Sequence, residues 1–185
     1  MAEAAVFLDR DGVINVDHGY THRIEDFEFV PGSAQALASL QGAGWRLVVV
    51  TNQSGIARGL YTNDDYERFT AHMRAQLEAE GVRLDAVFHC PHLPDAAVAE
   101  YRRVCDCRKP APGMLLRAAR ELSLDLSASV MVGDRLSDLQ AGRAAGVGRG
   151  LLVRSGQSVQ DDEARLADAV FDDLAACARA LIVTS

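Results

Sequence analysis

The sequence predicts an α/β protein with a doubly wound, mostly parallel sheet. Short apolar runs at residues 4–8, 45–50 and 129–132 have the length and flanks of strands that are buried on both faces. Amphipathic helical patterns alternate with these runs along the chain, which is typical of parallel sheets covered by helices. Several of the runs also end at small polar residues, as strands do at the rim of such a sheet.

Length and composition fit one globular domain spanning residues 1–185. The chain has 185 residues, 49% of them hydrophobic and 24% charged, which is enough for a hydrophobic core. A net charge of −7 argues against a general nucleic-acid binder. No apolar run reaches the roughly 20 residues of a membrane helix, and the N-terminus lacks a secretory pattern. We therefore expect a cytoplasmic protein with neither nucleic-acid nor membrane partners, and a monomer.

The first half of the chain begins with a predicted strand at 4–8. Ser33 is a candidate cap for the first helix, which is followed by a second strand at 45–50. Thr62 or Asn63 then caps a second helix. The apolar stripe of this helix faces the core and consists of Tyr66, Phe69, Met73 and Leu77.

The second half opens with a predicted strand at 85–90 and a long stretch without a period that reaches residue 112. Loops of this length in compact domains usually either have a function or are held in place by an additional interaction. Ser137 is a candidate cap for a short helix. The other predicted elements are a helix at 113–122, strands at 129–132 and 150–153, and a helix-like pattern at 174–181. Beyond Arg154 the sequence carries no functional signal.

The motif D-x-D-G follows the first predicted strand. Asp9 and Asp11 repel each other unless a cation or a catalytic role compensates. Gly12 then permits a sharp turn. Asp and Gly are also ordinary turn residues, so a solvated turn is an equally good interpretation of this motif alone.

Two other strand ends and one loop carry polar residues that could act together with Asp9 and Asp11. Because the carboxyl ends of parallel strands share one edge, Asp134 is expected to converge with Asp9 and Asp11. Three ionised carboxylates need a cation, and oxygen ligands favour Mg²⁺. Thr51 and Lys109 offer a hydroxyl and an ammonium group, both suited to phosphate oxygens.

A second constellation has the pattern C-x-H followed by C-x-C. Three thiols and one imidazole make a complete tetrahedral zinc set without an open position, which predicts a structural site over residues 90–107. Three buried or free thiols and a surface histidine are the alternative. The predicted ligands are Cys90, His92, Cys105 and Cys107.

The order of these motifs resembles the haloacid dehalogenase (HAD) superfamily of phosphatases. The resemblance implies that Asp9 is the nucleophile and Asp11 the general acid/base, with Thr51 and Lys109 stabilising the transferring group. It also implies Mg²⁺ bound by the Asp9 side chain, the Asp11 backbone carbonyl and Asp134. Too few residues separate the motifs for a cap domain, so only loops cover the site. Asp138 either orients Lys109 or a metal-bound water, or serves as a first-turn helix acid.

Longer phrases such as FLDRDGVINVDHGY, CDCRKPAPGMLLRAA and MVGDRLSDLQAG resemble the heptose bisphosphate phosphatases within that superfamily. This implies removal of the 7-phosphate during synthesis of lipopolysaccharide core precursors, with either anomer as substrate. Arg135 stands where relatives often carry Lys. We assign Arg58 to an ordinary surface or partly buried role. The expected substrate-binding residues are Asp17, His18, Gly19, Tyr20, Thr51, Asn52, Gln53, Ser54, Arg108, Lys109 and Arg135.

Two other functions stay open. Histidinol-phosphate phosphatases look similar in both motif sets, but their substrate carries an amine that Arg108 would repel. A non-catalytic phosphosugar-binding zinc protein would retain the fold without needing every motif residue. The presence of Asp9, Thr51 and Lys109 together favours an enzyme.

Overall fold

A computed structural model describes residues 3–183 and contains a six-stranded parallel sheet. Met1, Ala2, Thr184 and Ser185, the ends of the predicted domain, lie outside the described residues. The sheet order is β3-β2-β1-β4-β5-β6, which confirms the predicted doubly wound class. The strands are β1 (Ala5–Leu8), β2 (Arg46–Asn52), β3 (Ala86–Cys90), β4 (Val130–Gly133), β5 (Arg149–Val153) and β6 (Ala169–Phe171).

Helices cover both faces of this sheet. Those that the patterns predicted are present, together with short helices that no periodicity indicated. The α-helices are α1 (Ser33–Gly42), α2 (Ser54–Ala57), α3 (Asn63–Ala79), α4 (Gly113–Leu122), α5 (Leu136–Ala145), α6 (Asp161–Ala164) and α7 (Leu174–Val183). Two 3₁₀ turns lie at Ile24–Asp26 and Ala99–Tyr101. No helix among residues 3–183 is long and apolar enough to cross a membrane.

Strand β1 shows how the two cores form. Its successive side chains point to opposite faces, so Val6 and Leu8 enter one core while Ala5 and Phe7 enter the other. Helices α1, α3 and α7 contribute to the first core, and α4 and α5 contribute to the second. Because all four residues are buried, the strand reads as a continuous apolar run. The predicted stripe of α3 is also buried.

Two helix caps differ from the sequence prediction, and one agrees with it. Thr62 caps α3 in a reciprocal capping box with Asp65, as predicted. Ser33 does not cap α1, because its hydroxyl donates instead to the Ile14 carbonyl at 2.7 Å and satisfies that buried acceptor.

Ser137 is likewise not the cap of α5. Arg135 occupies that position, and its backbone N–H donates to the Asp138 carboxylate at 3.0 Å. An ionised carboxylate in the first turn is a stronger acceptor than a hydroxyl and also matches the helix dipole. This capping bond fixes one oxygen of Asp138 close to the end of β4.

The topology determines where ligands can bind. The chain leaves β1 toward β2 and β3 on one side, then returns to place β4 on the other side of β1. The carboxyl end of β1 therefore lies at the switch point of an open parallel sheet, where ligand sites form in this architecture. Leu8, the last residue of β1, is in register with both Val49 and Val132.

Candidate active site

Asp9 lies directly beyond β1 and is buried. Its backbone N–H donates to the Val132 carbonyl, which extends the β1–β4 pairing by one residue. Its Oδ1 atom lies 3.0 Å from the Lys109 ammonium and accepts a hydrogen bond from the Arg10 backbone. Burial raises the pKa of Asp9 to about 7, Lys109 opposes this shift, and the neighbouring carboxylates add to it. Asp9 is only 8% exposed, so its charge depends on bound cations.

Lys109 neutralises part of the cluster from the side of β2. Its ammonium group donates to the Val50 carbonyl at 2.8 Å and pairs with Asp138 Oδ1 at 2.7 Å. Burial by itself lowers the pKa of Lys109, but Asp138 and Asp9 outweigh that effect and raise it. Asn52 exchanges two hydrogen bonds with the Lys109 backbone at 3.0 Å each, which fixes the loop at this point.

Asp9, Asp134 and Asp138 form the acid cluster. One carboxylate oxygen from each residue lies within 4.8 Å of one from each of the other two. Burial, followed by repulsion from Asp138, raises the pKa of Asp134 to about 6. Asp134 Oδ1 is buried and has no hydrogen-bond partner among residues 3–183, with the nearest guanidinium nitrogen of Arg135 at 4.0 Å. An unpartnered carboxylate oxygen beside another buried carboxylate fits a hard divalent cation.

Asp138 combines two of the roles that the sequence left open. One oxygen caps α5, and the other pairs with Lys109. Its side chain therefore orients Lys109 as well as completing the helix start.

Asp11 is held differently from Asp9. Arg10 donates to both of its carboxylate oxygens, and Asn15 and Gln53 each donate to one of them. Arg10 is 1% exposed, and its guanidinium lies over the Phe69 ring at 4.5 Å from the centroid. About 20% of the Asp11 side chain remains exposed, on the wall of a pocket.

Gln53 links this wall to Thr51. Its amide nitrogen donates to Asp11 Oδ2 at 3.1 Å and to Thr51 Oγ1 at 2.9 Å. Its amide oxygen accepts from the Tyr61 hydroxyl. Burial raises the pKa of Tyr61, so that hydroxyl stays protonated and can donate. Gln53 thus connects three side chains at the pocket.

The pocket above these residues has a volume of about 550 Å³. Its wall mixes the catalytic candidates with cations from separate loops. The predicted residues that line it are Asp9, Asp11, Asp17, Gly19, Tyr20, Thr51, Asn52, Gln53, Ser54, Arg108, Lys109 and Arg135. Asp134 lies just behind the wall, against the backbone of Gln157.

His18 does not belong to the pocket lining that the structure describes. Its Nε2 atom lies 3.7 Å from the carboxylate of Glu28, and 47% of its side chain is exposed. The nearby Asp17 does face the pocket, because the Gly19 backbone and the Gln157 side chain donate to its carboxylate.

The sequence missed several lining residues. The further lining residues are Arg58, Tyr61, Pro110, Ser137 and Gln157, and the sequence predicts only an ordinary surface or partly buried role for Arg58. Arg58 follows the short helix α2, which carries no periodic signal, and its guanidinium lies 6.0 Å from the centroid of the Tyr20 ring. The tail that appeared uninformative therefore contributes to the site through Gln157.

Cys90, His92, Cys105 and Cys107 form the thiol cluster. The sulfur–sulfur distances are 2.9, 3.4 and 3.5 Å, and the His92 Nδ1 atom lies 3.3 and 3.7 Å from two of the sulfurs. Ligands at the zinc–sulfur bond length would be separated by about 3.8 Å in a tetrahedron, so the set is close to that size. The hydrogen bond between Cys107 and Cys90 is the main cause that lowers the pKa of Cys107, to about 5.

Comparison with known proteins agrees with this geometry. The HAD-hydrolase-like family matches residues 106–177. A D-glycero-beta-D-manno-heptose-1,7-bisphosphate 7-phosphatase of Photorhabdus laumondii is 49% identical over 177 residues, which cover 96% of this chain and 94% of that protein. The protein of the same name from Escherichia coli K12 is 52% identical over 171 residues, covering 92% and 90%.

The solved structures agree with the sequence relatives. A D,D-heptose 1,7-bisphosphate phosphatase from B. bronchiseptica, crystallised with magnesium and phosphate, superposes with a TM-score of 0.85. It is 37% identical, over 98% of this chain and 99% of that one. The chain therefore belongs to the HAD-like hydrolases and, within them, to the family of heptose bisphosphate phosphatases.

Proposed function

We propose that the protein is a Mg²⁺-dependent phosphatase that removes the 7-phosphate of D-glycero-D-manno-heptose 1,7-bisphosphate. The single observation that carries this proposal is the convergence of Asp9, Lys109 and Asp134 at the switch point of the sheet, in a chain about 50% identical to phosphatases of that name. The pathway is the synthesis of heptose precursors for lipopolysaccharide.

Each reacting group has a place in this site. A carboxylate oxygen of Asp9 attacks phosphorus, and the bond from phosphorus to the sugar oxygen breaks. Asp11 gives its proton to that departing oxygen and then takes a proton from the water that cleaves the aspartyl-phosphate. Inorganic phosphate leaves and Asp9 is restored. Thr51 and Lys109 donate to the oxygens of the transferring group throughout.

A magnesium ion fits the acid cluster. The Asp9 side chain, the Asp11 backbone carbonyl and Asp134 would hold it, and it would neutralise the negative charge of the carboxylates and of the substrate phosphate. The unpartnered Oδ1 atom of Asp134 supports this assignment.

Cations of the pocket support a substrate with two phosphates. Beyond Lys109, the pocket contains Arg58, Arg108 and Arg135, and Arg135 is 56% exposed. Guanidinium groups bind phosphate in bidentate geometry and repel an ammonium group. This arrangement favours a sugar bisphosphate over histidinol phosphate.

Zinc in the thiol cluster would have a structural role. The loop between β3 and α4 carries Cys105, Cys107, Arg108 and Lys109 within five residues, so a zinc ion that fixes the thiols would also fix the two cations. We expect Cys107→Ser to lose zinc and to raise KM. A zinc-free protein with unchanged KM would contradict this role.

We also infer that residues 1–185 form a single domain, because the elements described pack on one sheet. We propose a cytoplasmic location, because a cluster of free thiols that binds zinc is more typical of a compartment that keeps thiols reduced. We propose that the enzyme acts as a monomer, since the residues of a single chain are enough to form the pocket.

The test compares phosphate release from both anomers of heptose 1,7-bisphosphate with release from histidinol phosphate, each with Mg²⁺ present. We expect the higher kcat/KM with one of the heptose anomers and a product that retains the 1-phosphate. Faster release from histidinol phosphate would contradict the substrate assignment. No release from any of the three would contradict the catalytic proposal as a whole.

A further inference from the structure

The segment 155–157 (Ser155-Gly156-Gln157) follows β5 and lies against the D-x-D-G turn. The Ser155 hydroxyl donates to the Gly12 carbonyl at 2.7 Å, across 143 residues of sequence. Gly12 and Gly156 face each other, and a Cβ atom built on Gly156 would lie 2.8 Å from Gly12 Cα. The turn that carries the nucleophile and this segment are therefore in direct backbone contact.

Position 156 must be glycine because there is no room for a side chain there. A Cβ atom at this position would lie 2.1 Å from Asp134 Oδ2, far inside van der Waals contact. The backbone of Gly156 is not in the left-handed region, so conformational freedom is not the reason for glycine. Any side chain at 156 would push the Asp134 carboxylate from its present position.

The next residue fixes that carboxylate. The Gln157 backbone N–H donates to Asp134 Oδ2 at 2.8 Å. Asp134 belongs to the acid cluster, and its Oδ1 atom has no hydrogen-bond partner among residues 3–183. One oxygen is thus held by the main chain, while the other remains available for a ligand.

We propose that the segment 155–157 is a positioning element for Asp134, which aims the Oδ1 atom at the cation of the acid cluster. This inference rests on the proposed function for the identity of that cation. Partners that hold a metal ligand in place typically change metal affinity by about 10- to 100-fold when they are lost. The segment acts through its main chain and its lack of a side chain at 156, neither of which leaves a sequence motif.

The side chain of Gln157 has a separate role. Its amide donates to Asp17 Oδ2 at 3.0 Å, whereas the backbone N–H donates to Asp134. Main-chain and side-chain contributions of Gln157 can therefore be separated by mutation.

The experiment measures the Kd of Mg²⁺ for the zinc-loaded protein by isothermal titration calorimetry, without substrate. We expect Gly156→Ala to weaken Mg²⁺ binding by about 10- to 100-fold. The matched control is Gly42→Ala at the end of α1, where an added Cβ meets no atom within 4 Å, and its Kd should equal that of the wild type. Circular dichroism and zinc content report whether each variant is folded.

A second pair of variants tests the hydrogen bond itself. Gln157→Pro removes the N–H donor and should weaken Mg²⁺ binding by about tenfold, whereas Gln157→Ala keeps the donor and should bind Mg²⁺ as the wild type does. This pair still tests the proposal if Gly156→Ala does not fold.

The outcomes separate this inference from the proposed function. If the wild type binds Mg²⁺ and both Gly156→Ala and Gln157→Pro bind it equally well, the positioning role is wrong while the phosphatase proposal stands. If the wild type binds no Mg²⁺, the proposed metal site and this inference both fail. Equal weakening by Gln157→Ala and Gln157→Pro would also overturn the main-chain role.

Discussion

Asp9 and Asp11 are separated by one residue and have opposite surroundings. Asp9 is buried among two other acids and shares the ammonium of Lys109 with Asp138. Asp11 forms an ion pair with Arg10, whose other acceptors are neutral oxygens, and neutral amides complete the hydrogen bonds of Asp11. The two carboxylates of one short motif therefore belong to different electrostatic environments.

This difference explains how one motif can supply two chemical roles. Asp9 needs a cation to remain ionised at neutral pH, because burial raises its pKa to about 7. A nucleophile that becomes competent when the metal binds suits that environment. Asp11 is held by donors at the pocket wall, where it can meet a leaving group or a water molecule. Surroundings of this kind commonly divide two carboxylates between distinct roles.

Asp9→Asn should have the largest effect. The amide has the shape of the carboxylate but cannot form an acyl phosphate, so we expect kcat to fall by about 10⁴-fold or more. Phosphate release measures the loss, while circular dichroism and zinc content should match the wild type. Activity above about one per cent of wild type would remove Asp9 as the nucleophile.

Asp11→Asn should produce a smaller loss that depends on the leaving group. We expect kcat to fall by about 10²- to 10⁴-fold with a sugar phosphate, because an alkoxide must leave without its proton. Release of p-nitrophenol from p-nitrophenyl phosphate should be less affected and should show a burst, since the phosphorylated enzyme accumulates when water is not activated. Equal losses on both substrates without a burst would contradict the acid/base role.

The buried surroundings of Asp9 also predict that the affinity for Mg²⁺ depends on pH. The pKa of Asp9 in the metal-free protein is about 7, so the proton must leave before Mg²⁺ binds. The affinity for Mg²⁺ should therefore rise by about tenfold between pH 6 and pH 8, as measured by calorimetry. The raised pKa of Asp9 also makes the free energy of unfolding of the metal-free protein higher at low pH. This extra stability is lost as pH rises through about 7.

Asp9→Asn provides the control for this pH dependence. With no proton to release at position 9, the variant should bind Mg²⁺ more weakly and with a flatter pH profile. A steep profile that persists in Asp9→Asn would assign the titration to a different group, with Asp134 the first to examine because its pKa is about 6.

Much of the fold and part of the site followed from the sequence. The strands could be predicted because a strand such as β1, which is buried on both faces, forms a continuous apolar run. The parallel topology then placed Asp9 beside Asp134. Lys109 was harder to place, yet it was expected in the site because its chemistry suits phosphate. Its pairing with Asp138 was one of the alternatives that the sequence left open. The capping bond that holds Asp138 in place could not be predicted, because the cap of α5 was expected at Ser137.

The remainder depends on contacts that leave no local pattern. Arg10 lies between two acids and would be expected at the surface, but it is buried over Phe69 and bonded to Asp11. The segment 155–157 acts through a backbone N–H and a missing side chain, and its partners lie far away in sequence. Periodicity and residue type report neither kind of contact.

Tyr61→Phe should have the smallest effect, and it tests the hydrogen bonds around Asp11 separately from those around Asp9. The lost hydroxyl donates to the Gln53 amide oxygen, and the same amide donates to Asp11 and Thr51. Without it the Gln53 amide is less restrained, so we expect kcat with a sugar phosphate to fall by about 3- to 10-fold, as for loss of one neutral hydrogen bond. Mg²⁺ affinity should not change, because the hydroxyl contacts no member of the acid cluster.

The matched control is Tyr101→Phe, which should retain wild-type kcat. Tyr101 is partly buried and packs on the same apolar cluster as Tyr61. A change in Mg²⁺ affinity in Tyr61→Phe would mean that the surroundings of Asp9 and Asp11 are coupled rather than separate.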